Sequence, residues 1–277
     1  DGGAQPLWNE DRDVACVLNG EIYNFKELRA QLEERGHRFS SASDAEVIVH
    51  LYEDLGDDFA DQLTGMFAIA VLDYRQKGRP RALLVRDRLG VKPLYWAATE
   101  EGGVAFASEP KALLAGGYGA RALRGPALLD YLVLGWCGGP HSAWDGIERL
   151  EPGHRLSWTE GDGAQLTAWW DAPLEPASPP AHDEELLEQL DQAVRSRLMS
   201  DVPLGAFLSG GLDSGAVVTS MAGVLDPLTC LSVGFSEETH DELELARLTA
   251  ARAGAQHREE VMDPLSCLTA GDLAWHY

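Results

Sequence analysis

The sequence predicts an α+β domain with antiparallel strands, followed by the start of an α/β domain built on a parallel sheet. Three observations predict it. In the first part, short apolar runs and two amphipathic helices are joined by hairpin-type turns. A proline-rich stretch then interrupts the chain. After it, strand and helix patterns alternate at the spacing of βαβ units, which set strands parallel. At 277 residues the chain is long enough for two separate cores.

Val14 to Leu18 reads as a strand ending at Asn19-Gly20. Asn24 is placed to cap a helix, with Glu27 completing a capping-box pattern, and Phe25, Leu28 and Leu32 give that helix an apolar face that stops at Gly36. Asp44 starts a second helix, with Val47, Ile48, Leu51, Tyr52 and Leu55 on one side and Gly56 as terminator. Strands follow at Met66–Leu72, Ala82–Val85, Leu94–Ala97 and Val104–Ala107; residues 120–170 read as irregular. Pro173, Pro176, Pro179 and Pro180 mark a stiff, extended spacer, which places a linker at 173–182 between domains at 1–172 and 183–277.

Beyond the spacer, Leu186, Leu187, Leu190, Val194 and Leu198 mark an amphipathic helix. Then come a strand at Leu204–Leu208, a Gly-rich turn and a helix at Ser214–Ala222. A strand at Leu228–Phe235, a helix near Glu242–Ala253 and a strand near Arg258–Val261 complete the pattern.

Composition excludes several functions. The formal net charge is −23, so binding to nucleic acid or to an anionic membrane is disfavoured without a basic patch, and no dense Lys/Arg run exists. No stretch of about 18 apolar residues could cross a membrane. Cys16, Cys137, Cys230 and Cys267 form neither a disulfide framework nor a zinc pattern, which fits a reducing, cytoplasmic setting. The eight histidines show no metal-ligand spacing, and His141, His154 and His257 stand alone. No signal-peptide pattern is visible, but both ends read as cut: Asp1-Gly2-Gly3 resembles a turn and Trp275-His276-Tyr277 lacks a cap. Oligomeric state is open, a homodimer included.

The main chemical signal is Ser209-Gly210-Gly211-Leu212-Asp213-Ser214. The preceding apolar run would deliver the chain to the carboxyl edge of a parallel sheet. Two glycines allow positive φ and close ligand approach, so successive N–H groups can face one concavity. The following helix adds the positive end of its dipole. Ser209 and Ser214 supply hydroxyl donors. Asp213 beside a phosphate calls for a divalent cation. No Gly-Lys-Ser/Thr follows, so this is not a Walker A loop. A mere tight turn is the bland alternative, and the strand before and helix after argue against it.

The segment from Ser200-Asp201-Val202-Pro203 through Ser214 resembles the pyrophosphate loop of glutamine-hydrolysing asparagine synthetases of the B type. The resemblance implies an ATP-pyrophosphatase-type second domain. There Ser209, Gly210, Gly211 and Ser214 hold ATP, Leu208 and Val233 contact adenosine, and Asp213 helps to hold Mg²⁺. Gly215 departs from the family, which commonly has a second Ser. Asn19-Gly20-Glu21-Ile22-Tyr23-Asn24 is similar to the glutamine pocket of N-terminal-nucleophile amidotransferases. That implies an oxyanion hole from the Asn19 side chain and the Gly20 N–H, a pocket lined by Glu21, and Asp44 binding the glutamine α-amino group. Two fixed donors would stabilise the alkoxide formed when a thiolate attacks the amide carbon. On the residues alone, Asn19-Gly20 is a common turn dipeptide and Asp44 an ordinary helix cap. Further matches are Gly65-Met66-Phe67-Ala68, Arg86 through Tyr95 and Ala107 through Leu113, with Arg86 to Arg88 read as a structural turn.

The family nucleophile is an N-terminal Cys whose free amine is its base. Residue 1 here is Asp, and Cys16 sits in an apolar strand that suits core packing. An Arg for the glutamine carboxylate and a later Ser-Gly-Glu-Gly segment are also absent, so the chain alone is expected neither to hydrolyse glutamine nor to make product. The resemblance implies a carbon–nitrogen ligase that makes asparagine from glutamine, aspartate and ATP through β-aspartyl-AMP. Two alternatives stand beside it: a β-lactam-synthetase-like relative acting on another acid, and a non-catalytic nucleotide-binding paralogue.

Overall fold

The computed structural model describes residues 3–174, 182–200, 202–235 and 242–262. The chain divides into two compact units, Asp1–Leu174 and Glu175–Tyr277. Most of the proline-rich spacer, residues 175–181, lies outside the described residues.

The first unit runs β1 (Leu7–Trp8), β2 (Val14–Ile22), α1 (Phe25–Glu34), α2 (Glu46–Leu55), a 3₁₀ helix (Gly56–Gln62), β3 (Gly65–Asp73), β4 (Arg81–Arg86), β5 (Tyr95–Ala98) and β6 (Val104–Ala107). It continues with α3 (Pro110–Ala115), α4 (Gly125–Leu134), β7 (Glu148–Arg149), β8 (His154–Thr159) and β9 (Gly163–Ala168). Six strands form one antiparallel sheet in the order β1-β2-β3-β4-β8-β9, and β6-β5-β7 form a second.

Strand alternation sorts the side chains of the large sheet onto two faces. Cys16, Leu18, Phe67, Ile69, Val71, Leu83 and Val85 point to one face and share a core with Leu28 and Leu32 of α1 and with α2. Ala68, Ala70, Leu84 and Leu156 point to the other and meet Trp96, Val104 and Phe106 of the second sheet. With both faces covered, the central strands read as continuous apolar runs. Fully buried Phe67 and Ile69 each contribute roughly 1.5–3 kcal/mol of burial.

Several local expectations change. β2 continues through Asn19-Gly20 to Ile22, pairing residue by residue with β3 from Val14↔Asp73 to Ile22↔Gly65, so this dipeptide is strand and not turn. Asn24 occupies the N-cap position of α1 but makes no capping bond. Its amide instead clamps the chain before β3, donating to the Gln62 carbonyl (2.9 Å) and accepting from the Thr64 N–H (2.9 Å). α2 starts at Glu46, and Ala45 stands at its N-cap in place of Asp44. Gly56 does end it, at φ 59°. The stretch 120–170 is structured, holding α4 and β7 to β9; in β8 Leu156 and Trp158 alternate with Arg155, Ser157 and Thr159, a strand period spread over only six residues.

The second unit runs α5 (Asp183–Ser196), β10 (Gly205–Phe207), α6 (Leu212–Ala222), β11 (Thr229–Phe235), α7 (Leu243–Ala253) and β12 (Gln256–Met262). Its three strands are parallel in the order β10-β11-β12. Val194, Val218, Met221, Cys230, Ala246 and Ala250 bring α5, α6 and α7 onto one face of that sheet. No described helix is long and apolar enough to cross a membrane.

Candidate functional site

Two groups of residues carry the chemistry read from the sequence, one in each unit. In the first unit, the end of β2 and the approach to α2 bring Asn19, Gly20, Glu21 and Asp44 together. The Asp44 carboxylate accepts the backbone N–H of Ile22 at 2.8 Å, which fastens residue 44 to the strand that carries the other three. Asn19 is exposed, and its side-chain amide donates to Ser108 Oγ at 2.9 Å. Ser108 lies within the Ala107–Leu113 match, but no sequence pattern announces it as the partner that orients Asn19. Gly20 must be glycine for two reasons. Its φ is +152°, and a Cβ there would lie 2.1 Å from the Met66 carbonyl oxygen. Close pairing of β2 with β3 therefore excludes any side chain at this point.

Cys16 is no nucleophile. It is buried and its thiol donates to the Ala45 carbonyl at 3.4 Å. Burial, with the Glu46 and Asp44 carboxylates adding to it, pushes the thiol up to about 12, so thiolate is not populated at neutral pH. Arg86 and Asp87 serve the fold, as the sequence suggested. The buried Arg86 guanidinium donates to the carbonyls of Lys92, Leu150 and Gly90 at 2.8, 2.6 and 2.7 Å. Asp87 accepts N–H groups from Phe67, Leu89, Val91 and Lys92. A cleft of about 410 Å³ lined by Tyr52, Asp73, Arg75, Arg79 and Arg81 contains none of the predicted residues, and its arginines are already paired with Asp73, Asp162 and Asp57.

In the second unit, Ser209-Gly210-Gly211 follows the carboxyl end of β10, and Gly211 is the N-cap of α6. Ser209 and Ser214 Oγ lie 2.9 Å apart, and Ser209 Oγ accepts the Gly211 N–H at 3.1 Å. Neither glycine has a positive φ, contrary to the expectation. What Gly210 provides is closeness: a Cβ there would stand 3.0 Å from Glu242 Cβ and 3.1 Å from Leu245 Cβ. Glu242, marked in the sequence only as a helix start, precedes α7 and its carboxylate accepts the Gly210 N–H at 3.0 Å. An anion thus already sits on the amide predicted to face a phosphate. Leu208 is buried in the core, its N–H bonded to the Leu231 carbonyl and its own carbonyl accepting from Ser232 Oγ at 2.5 Å. Val233 lies half exposed on β11 and Asp213 is exposed in the first turn of α6. Amide donors at a helix start, two hydroxyls and one carboxylate suit a polyphosphate with a magnesium ion, which takes few protein carboxylates.

The two units match two family models. Residues 1–170 match the glutamine amidotransferase domain, and residues 185–277 match asparagine synthase. Glutamine-hydrolysing asparagine synthetase 1 of Bacillus subtilis (strain 168) is 30% identical over 282 residues, which is 100% of this chain and 44% of that protein. The chain belongs to the glutamine-hydrolysing asparagine synthetase family. Synthetase 2 of the same strain is 37% identical over 90% of the chain and 34% of its own length. Synthetase 2 of Oryza sativa subsp. japonica is 40% identical over 78% of the chain and 31% of its own length. The chain therefore spans between about a third and a half of these family members. Its fold is a glutamine amidotransferase domain followed by asparagine synthase sequence whose described residues include a parallel sheet.

Proposed function

We propose that this chain serves the glutamine- and ATP-dependent amidation of aspartate to asparagine, in a carbon–nitrogen ligase working in the cytoplasm. The observation that carries the reading is the passage from a parallel strand through Ser209-Gly210-Gly211 into α6. In the first unit, the Asn19 amide and the Gly20 N–H are the donors for the developing oxyanion. Ser108 holds the former, and close packing of β2 on β3 fixes the latter. Asp44, anchored through Oδ2 to Ile22, receives the ammonium of glutamine, and Glu21 lines the same pocket. Cys16 is excluded, so the reading takes its attacking thiolate, an N-terminal cysteine, from outside these 277 residues.

In the second unit, the Gly210 and Gly211 amides with Ser209 and Ser214 hold the pyrophosphate of ATP, Leu208 and Val233 border the adenosine, and Asp213 contributes to Mg²⁺. ATP supplies the adenylyl group that converts the aspartate side-chain carboxylate, a poor electrophile, into β-aspartyl-AMP, from which ammonia displaces AMP. Boundaries at 1–172, 173–182 and 183–277 accompany this assignment.

The test uses the full-length protein. Asn19→Ala should lower glutamine-dependent turnover by about 10²–10³-fold, the usual cost of one oxyanion donor, and leave ammonia-dependent synthesis unchanged. Asp44→Asn keeps the bond to Ile22 and should raise the KM for glutamine alone. ATP–pyrophosphate exchange should require aspartate. Exchange driven by a different carboxylic acid would move the chain to the β-lactam-synthetase-like branch, and no exchange with any acid would make it a nucleotide-binding paralogue.

A further inference from the structure

Away from both groups of residues, the first unit gathers Glu10, His37, His50 and Glu53, one potential ligand atom from each lying within 4.8 Å of all the others. Their sequence spacing gives no hint of this. Glu10 lies between β1 and β2, His37 between α1 and α2, and His50 and Glu53 one turn apart on α2. The fold alone brings them together.

Both imidazoles present Nδ1 to the two carboxylates. His50 Nδ1 is 3.3 Å from Glu53 Oε2 and 3.4 Å from Glu10 Oε2. His37 Nδ1 is 3.7 Å from Glu53 Oε2 and 3.6 Å from Glu10 Oε1. A tetrahedral zinc ion with bonds of about 2.0–2.2 Å sets neighbouring ligand atoms roughly 3.3–3.6 Å apart; His50 Nδ1 already stands at that spacing from Oε2 of both glutamates, and the four ligand atoms, all within 4.8 Å of one another, need only a small contraction to reach it. Two carboxylates and two neutral imidazoles also cancel the charge of a divalent ion.

The surroundings are those of ligands held from behind. His37 Nε2 faces Asp54 Oδ1 at 3.2 Å, and the other Asp54 oxygen accepts from Arg35 at 3.0 Å, a carboxylate–histidine arrangement that fixes which ring nitrogen is free. Asn9 Nδ2 donates to Glu53 Oε1 and the Arg38 N–H to Glu10 Oε1, in each case leaving Oε2 for the centre of the cluster. His50 is wholly buried, its Nδ1 points into the cluster, and its Nε2 has no hydrogen-bond partner. Metal on Nδ1 would put the proton on Nε2, towards the Glu46 carboxylate 4.0 Å away.

We propose that Glu10, His37, His50 and Glu53 form a structural zinc site, closed by four protein ligands. The ion fastens the turn before β2 and the α1–α2 connection to α2. That connection carries Asp44, so the ion steadies the segment on which residue 44 is presented. The proposal is independent of the amidation reading, because it predicts metal binding whether or not the protein turns over.

Zinc is measured in the purified chain after extensive dialysis, then after stripping with a chelator and reloading with zinc alone or cobalt alone. The site should retain one zinc per chain, its Tm should fall on stripping and recover on reloading, and cobalt should give the intense visible bands of tetrahedral coordination. Asp54→Asn, which touches none of the ligand atoms but alters the carboxylate behind His37 and its bond to Arg35, should weaken zinc binding by about 10–100-fold. His37→Asn and Glu53→Gln should abolish the tetrahedral cobalt bands; if either fails to fold, the cobalt spectrum of the parent chain still decides. Substoichiometric zinc with no change in Tm, weak octahedral cobalt bands, or folded variants that bind zinc as tightly as the parent would each overturn the proposal, leaving histidines paired with carboxylates and nothing more.

Discussion

The carboxylate of Glu242 occupies the Gly210 amide that a phosphate would take. A like charge at that point competes with any polyphosphate and must swing aside for it to bind. Glu242→Gln keeps an oxygen to accept the Gly210 N–H but removes the charge. ATP affinity, measured by titration calorimetry, should therefore rise about five- to tenfold, equivalent to ~1–1.4 kcal/mol. Unchanged or weakened binding would mean that Glu242 organises the loop and does not compete at it. Such partnerships are invisible in a linear reading. Glu242 lies on the far side of β11 from the loop in sequence, and Ser108 reaches Asn19 across 89 residues. The residues of the two motifs could be named in advance because each motif is local; their partners could not, because they depend on which strands become neighbours.

At the level of elements, apolar periodicity located α1, α2, α5, α6, α7 and the buried strands β2, β3, β4 and β11 within a few residues. Most of those segments bury a stripe or run, so their pattern is strong, although α5 buries only Val194 and β11 alternates buried with exposed residues. β8 and β9 were not legible. His154–Thr159 does alternate, but it has only two large apolar side chains, Leu156 and Trp158, to mark the period, and Gly163–Ala168 is mostly exposed at the edge of the sheet, where burial imposes no pattern. Capping chemistry misled for a related reason. Asn24 and Asp44 have the right side chains for helix starts, but tertiary partners at Thr64 and Ile22 claim them. α6 offers a separate test. Gly215 sits inside it, and a Cβ there would meet Thr249 Cγ2 at 3.6 Å, an ordinary contact. Gly215→Ala should stabilise the second unit by about 0.5–1 kcal/mol through helix propensity, read as a shift in its urea midpoint. A loss of stability would show that the α6–α7 contact cannot accept one methyl.

For the whole molecule, an acidic chain with a net charge of −23 carries carboxylates whose pKa the fold lowers. Burial raises Glu46, Asp73 and Glu148, yet in each case hydrogen bonds outweigh it: from Ser40 and Ser41 to Glu46, from Arg75 and Tyr52 to Asp73, and from Arg124 and His141 to Glu148. A folded pKa below the unfolded one means stability that is fully present above the unfolded value and lost as pH falls through the folded one. The first unit should therefore hold its stability down to about pH 4.5 and lose it progressively below that, followed by circular dichroism in a pH series. Constant stability to pH 3 would contradict those hydrogen bonds. Domain order was legible at this scale because both motifs and the proline spacer are contiguous in sequence. The metal cluster was not, since its four ligands come from three segments with no common spacing.

The account rests most heavily on the glycine pair at the start of α6 acting as a seat for polyphosphate. Hydrogen–deuterium exchange of the amides from 208 to 216, followed with and without ATP and magnesium, reads that seat directly. Slower exchange at Gly210, Gly211 and the first turn of α6 on adding nucleotide is the predicted result. Unchanged exchange across this loop at saturating nucleotide, with protection appearing elsewhere in the chain, would contradict it.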